Sequence, residues 1–149
     1  VSSLIQHYKI ECSPEKIWLL LEDGRRYLAA VMGSAPAQIS AEWPQTGSTA
    51  HHGVTIGPVR SSALTVVRHS LAPRELRMEV RAGSLGTLGL DLDVRPWGDA
   101  ALVTVQEYPL SPQGLYSFAQ SLPLMLLLRG RHRGVLFEAE QSQLTRVQP

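Results

Sequence analysis

Leu4, Tyr8 and Ile10 recur on one parity amid Gln6, Lys9 and Glu11, which predicts a strand over 4–12. Ser13, Pro14 and Glu15 then supply an N-cap hydroxyl, a proline suited to the first helical position and an acid facing the unpaired amides. A helix is therefore predicted from Pro14, with Ile17, Trp18, Leu20 and Leu21 on a broad apolar face. It is expected to stop near Gly24, whose missing Cβ tolerates a left-handed cap. A second short helix follows over 25–32, and Gly33 and Pro36 break it.

The next seventy residues lack helical periodicity and read as strand and turn. Strands are predicted over 38–43, 48–56, 60–71, 74–82, 85–95 and 100–108. The turn signals between them are short, so consecutive strands are expected to pair as antiparallel neighbours. Leu76, Met78 and Val80 alternate with Arg77, Glu79 and Arg81, and Leu88, Leu90, Leu92 and Val94 share a parity against Asp91, Asp93 and Arg95. Such a sheet has one dry face and one wet face. The glycines between 83 and 89 read as a hairpin that permits close backbone approach or as a sharp sheet bend, and the four-residue turn holding Trp97 favours exposure and allows that indole a rim position. Residues 113–147 read as mostly helix, with an irregularity at Pro123. The fold class is thus α+β: a curved antiparallel sheet of about seven strands whose apolar face is covered by the segment 126–144, with two short helices closing one end. With no internal repeat and no linker, 1–149 reads as a single domain.

This order resembles the START-like (SRPBCC, helix-grip) superfamily, in particular its bacterial polyketide cyclase/dehydrase and lipid-transport branch. The resemblance covers nearly the whole chain. It is carried by the opening strand followed by Ser13-Pro14-Glu15-Lys16-Ile17-Trp18, by Val103-Thr104-Val105-Gln106-Glu107 as a last strand, and by Leu128-Arg129-Gly130-Arg131-His132-Arg133 in the closing helix. What the resemblance implies is a cavity between sheet and helix. It implies no particular catalytic residue, because fold does not fix function.

Composition narrows the function classes. Fourteen basic residues against thirteen acidic ones give a formal net charge of +1, which leaves no excess to neutralise a phosphate backbone, so nucleic acid is not an expected partner. Cys12 is the single cysteine and reads as a small buried hydrophobe, which fits a reducing, cytoplasmic setting. The most apolar stretch, 122–128, is too short for a membrane span, and no secretion signal is legible. Twelve arginines against two lysines hint at a GC-rich bacterial genome.

Metal and cofactor chemistry finds no support. His51 and His52 are neighbours on a strand, so their side chains point to opposite faces and do not share an ion. No zinc spacing, calcium loop, phosphate loop, dinucleotide fingerprint or nucleophile elbow is present, and no cofactor is expected. His52 shares parity with Ala50, Val54 and Ile56 and is expected inside, either as a hydrogen-bonded core histidine or as a ligand-contacting acid/base. Glu107 shares parity with Ala101, Val103 and Val105, which carries a carboxylate inward. It is either paired with an arginine, a histidine such as His52 or a backbone amide, or used for ligand binding or proton transfer. The expected cavity lining is Trp43, His52, Met78, Leu90, Val105 and Glu107. Trp18, Trp97 and Tyr27 are either further lining or simple core. Arg129, Arg131 and Arg133 around His132 form the one basic cluster, read as a solvated helix surface or salt bridges or, alternatively, as a site for an anionic head group at the cavity mouth.

The leading expectation is a module that encloses a hydrophobic small molecule such as a polyketide, lipid or aromatic metabolite. The rival is an aromatase/cyclase or dehydratase in which His52 or Glu107 moves a proton beside a carbonyl. A protein-binding domain with a filled core is the third reading.

Overall fold

A computed structural model describes residues 3–110 and 114–147, with side chains over 3–110 and 121–141. Strand β1 (Leu4–Ile10) leads into α1 (Pro14–Glu22) and α2 (Gly24–Met32). Six strands follow: β2 (Gln38–Ile39), β3 (Thr49–Ile56), β4 (Val59–Leu71), β5 (Glu75–Arg81), β6 (Thr87–Trp97) and β7 (Ala100–Pro109). The long helix α3 (Gly114–Val147) completes the order. The α+β expectation and the seven strands hold: one antiparallel sheet runs β1-β7-β6-β5-β4-β3-β2.

Local chemistry sets the helix ends. Ser13 Oγ accepts from the Lys16 amide at 3.2 Å, capping α1. The expected stop at Gly24 moves back one residue, because Asp23 closes α1 and also caps α2 by accepting from the Arg26 amide at 3.4 Å. Gly24 instead opens α2 where the indole of Trp43 lies so near that a Cβ would meet it at 2.7 Å. Gly33, at φ +83°, ends α2 in the left-handed conformation that favours glycine.

The strand predicted over 38–43 shortens to two residues. The chain turns after Ile39, with the Trp43 amide donating to the Ser40 carbonyl at 3.1 Å and Pro44 unable to extend a ladder. Trp97 ends β6 rather than standing in the turn, and it is 54% exposed, as a rim residue would be. Residues Gly83–Leu85 form a single tight helical turn, and Gly89 lies flat under the Tyr108 ring, the close approach expected of that stretch. Helix α3 is continuous through Pro123, so the irregularity expected there does not interrupt it.

The register of β4 on β5 shifts between Val67 and His69, a bulge that curls the long strand. The apolar face of the sheet then encloses Leu124, Met125, Leu128, Val135 and Leu136 of α3 in one continuous core with α1 and α2. Among the described residues no helix is long and apolar enough to cross a membrane.

Candidate functional site

Pairing across the sheet brings several of the expected lining residues into one row. Met78 on β5 faces Leu90 on β6, Leu90 faces Glu107 on β7, and Glu107 faces Leu4 on β1. Val105 stands two residues along β7 on the same inner face. All four of Met78, Leu90, Val105 and Glu107 are buried. The inner face is closed over: Val80, Leu88, Leu90 and Val103 have no exposed surface, so the cavity expected in the sequence does not stand open against them.

Glu107 is 1% exposed, and its Oε2 finds no hydrogen-bond partner among the described residues. Burial pushes its carboxyl up from 4.5 to about 8, and the Arg129 guanidinium only partly opposes this. At neutral pH the group is a protonated acid, able to donate one hydrogen bond. An uncompensated buried polar atom costs about 1–3 kcal/mol.

Within reach of the Glu107 charge stands a buried polar pair. The Tyr27 hydroxyl on α2 lies 2.6 Å from Nε2 of His132 on α3, with the rings 5.6 Å apart and edge-on. His132 Nδ1 lies 2.8 Å from the Leu128 carbonyl, which can only accept, so Nδ1 carries the proton and Nε2 accepts from Tyr27. Burial lowers the imidazole from 6.5 to about 4, and burial together with the Glu107 charge raises the Tyr27 phenol. The three groups are therefore all neutral at pH 7. The sequence places Tyr27 as lining or core and His132 at the centre of an arginine cluster; each falls on an apolar helix face, but no sequence signal pairs the two.

His52 does point inward, at 6% exposure, while His51 points out. Its Nδ1 donates to the Gly53 carbonyl at 3.1 Å and its Nε2 accepts from Thr65 Oγ1 at 2.7 Å. Burial lowers its pKa, and both ring nitrogens are satisfied by these bonds. It is not the partner of Glu107: β4, β5 and β6 stand between their strands. Trp43 is buried too, but in the turn after β2, where Nε1 donates to the Leu21 carbonyl at 3.1 Å under the α1–α2 junction.

The arginine cluster divides by role. Arg131 donates to the Val31 and Thr55 carbonyls at 3.1 Å each, tying α3 to α2 and β3 rather than lying solvated. Arg129 and Arg133 line a groove of about 570 Å³ between β1 and α3. Arg129 also acts electrostatically on both Tyr8 and Glu107, so the groove abuts the interior polar patch. No group of three metal-ligating side chains occurs among the described residues.

The sequence matches no protein-family profile, and no curated protein resembles it in sequence. Solved structures do resemble it in shape. The di-domain ARO/CYC StfQ from the steffimycin biosynthetic pathway superimposes with a TM-score of 0.75 at 10% identity, covering 98% of this chain and 51% of StfQ. The chain thus spans about half the length of that protein. A protein from Arthrobacter aurescens gives 0.72 at 14% identity over 94% of this chain and 86% of its own. Protein Ms6760 from Mycobacterium smegmatis gives 0.68 at 10% identity over 97% and 92%. Together with the seven-stranded sheet curled around α3, these likenesses show a helix-grip fold.

Proposed function

We propose that the chain is a single binding domain whose interior, between the sheet and α3, takes up a hydrophobic small molecule of polyketide, lipid or aromatic type bearing an oxygen acceptor. The observation that carries this reading is Glu107: a protonated carboxyl on an otherwise apolar row, with an oxygen that has no partner among the described residues. A core selected for stability alone gains more from leucine or methionine at that position. Because the inner face is closed, uptake requires the side chains of the row to move apart.

The test is titration of a neutral aromatic ketone, anthrone, with folding followed by thermal melts. Below pH 8 the Glu107 O–H can donate to the ketone; once ionised it only accepts and repels the carbonyl. Wild-type affinity is expected to fall about tenfold between pH 6.5 and 9.5. Glu107→Gln keeps a donor and should bind with a flat profile, and Glu107→Leu should bind weakly throughout. A flat wild-type profile equal to that of Glu107→Leu overturns the reading.

A second reading, an aromatase/cyclase or dehydratase, draws on the Tyr27–His132 pair within reach of the Glu107 charge and on the ARO/CYC description of StfQ. In it Glu107, rather than the fully bonded His52, moves the proton. Glu107→Gln would then abolish turnover of a poly-β-ketone while still binding anthrone.

A further inference from the structure

The groove between β1 and α3 carries a chemistry that the interior patch does not use. On α3, Leu126, Gly130, Arg133 and Phe137 follow at intervals of four, three and four residues, so they lie along one helix face, the one that lines the groove opposite β1. Its volume of about 570 Å³ is that of a small-molecule site. The walls are mixed, Gln6, His7 and Lys9 standing on β1, with an apolar portion where Leu126 is 48% exposed and the Tyr8 ring meets Phe137 edge-on at 6.2 Å.

Two of the charges along it, like Arg25, Arg60, Arg74 and Arg131 but unlike five other arginines, form no ion pair among the described residues. Arg26, Arg68, Arg77, Arg81 and Arg95 each have a carboxylate partner, and Lys9 in the groove is held by Glu11 at 3.5 Å. Among the described residues neither Arg129 nor Arg133 has one. The two stand four residues apart on α3, a like-charge spacing that disfavours the helix. Arg133 is steadied by the Phe137 ring, 6.0 Å from its centroid. Between the arginines, Gly130 leaves the groove open, since a Cβ there would meet nothing within 4 Å.

We propose that this groove receives the anionic head of an amphipathic carboxylic acid, held between Arg129 and Arg133, with its apolar portion against Tyr8, Leu126 and Phe137 and leading inward. Guanidinium forks match a carboxylate in geometry as well as charge, and an anion between the arginines relieves their repulsion. The inward course of the apolar portion rests on the interior-binding reading; the anion site does not.

Decanoate and 1-decanol share a tail and differ in the head, so they separate the two. By titration calorimetry the wild type is expected to bind decanoate at least tenfold more tightly than decanol. Arg129→Gln with Arg133→Gln should bring that ratio to about one. Gly130→Phe, built into open space, should weaken decanoate at least tenfold without lowering the melting temperature. Equal wild-type affinities, or a preference that survives the double replacement, overturn the anion groove and leave the interior reading standing. Decanoate binding without decanol binding, lost in the double variant, upholds the groove and counts against the interior reading. Binding of neither overturns both.

Discussion

The Tyr27–His132 contact joins positions 105 residues apart, and each side chain satisfies the other where no water reaches. Replacing Tyr27 by Phe keeps the ring and removes the O–H, leaving Nε2 of His132 buried without a donor. The expected cost is about 1–3 kcal/mol in denaturant unfolding. Tyr27→Phe combined with His132→Phe should cost less than the sum of the single replacements, because the second change removes the orphan that the first creates. An additive pair would show that the hydrogen bond contributes nothing. Nothing local in the sequence joins these residues, since their meeting depends on how α2 crosses α3. His52 and Glu107 were legible as inward-facing for the opposite reason: period-two alternation is a property of each strand alone. Which groups they meet inside was not legible, as the missing His52–Glu107 pairing shows.

At the scale of elements, a capping hydroxyl followed by proline and glutamate announces α1 from its own residues, and Ser13 does make the bond. The end of α1 was less legible, because Asp23 and Gly24 compete for the same boundary and the side chains packed on Gly24, those of Ile39 and Trp43, come from outside both helices. Ile39 and the Trp43 indole together fill the place of a Gly24 side chain, and the indole N–H also donates to the Leu21 carbonyl in the turn before. Gly24→Ala should therefore destabilise the fold by about 1–3 kcal/mol, as overpacking does, despite alanine's better helix propensity. Gly134→Ala, on α3 with nothing within 4 Å of the new Cβ, should stabilise by up to about 1 kcal/mol. Urea midpoints of the two variants test the contrast, and a shift of the same sign in both would refute it. The contraction of β2 has a related origin: alternation marks Trp43 as strand-like, while the turn donating to Ser40 forms from contacts that alternation does not encode.

For the whole molecule, enclosing both an acid and an imidazole inside one sheet makes stability a non-monotonic function of pH. His132 takes up a proton near 6.5 when unfolded and only near 4 when folded, so between those values the unfolded chain holds more protons and stability rises with pH. His52, its pKa also lowered by burial, acts in the same direction. Glu107 does the reverse: unfolded it ionises near 4.5, folded near 8, so stability falls with pH across that interval. From 4.5 to 6.5 the contributions of His132 and Glu107 oppose each other, and above 6.5 Glu107 acts alone until Cys12 and the tyrosines, raised by burial, add to the decline at higher pH. One proton over this interval amounts to about 2 kcal/mol between pH 6.5 and 8, or roughly 4–8 °C for a chain of this size. The wild-type melting temperature should fall by that much over the interval, while that of Glu107→Gln stays level, with the two curves separating above pH 6.5. Parallel curves would mean that Glu107 is ionised in the folded state, and with a charged carboxylate facing the row of Met78 and Leu90 the donor role proposed for it would be lost.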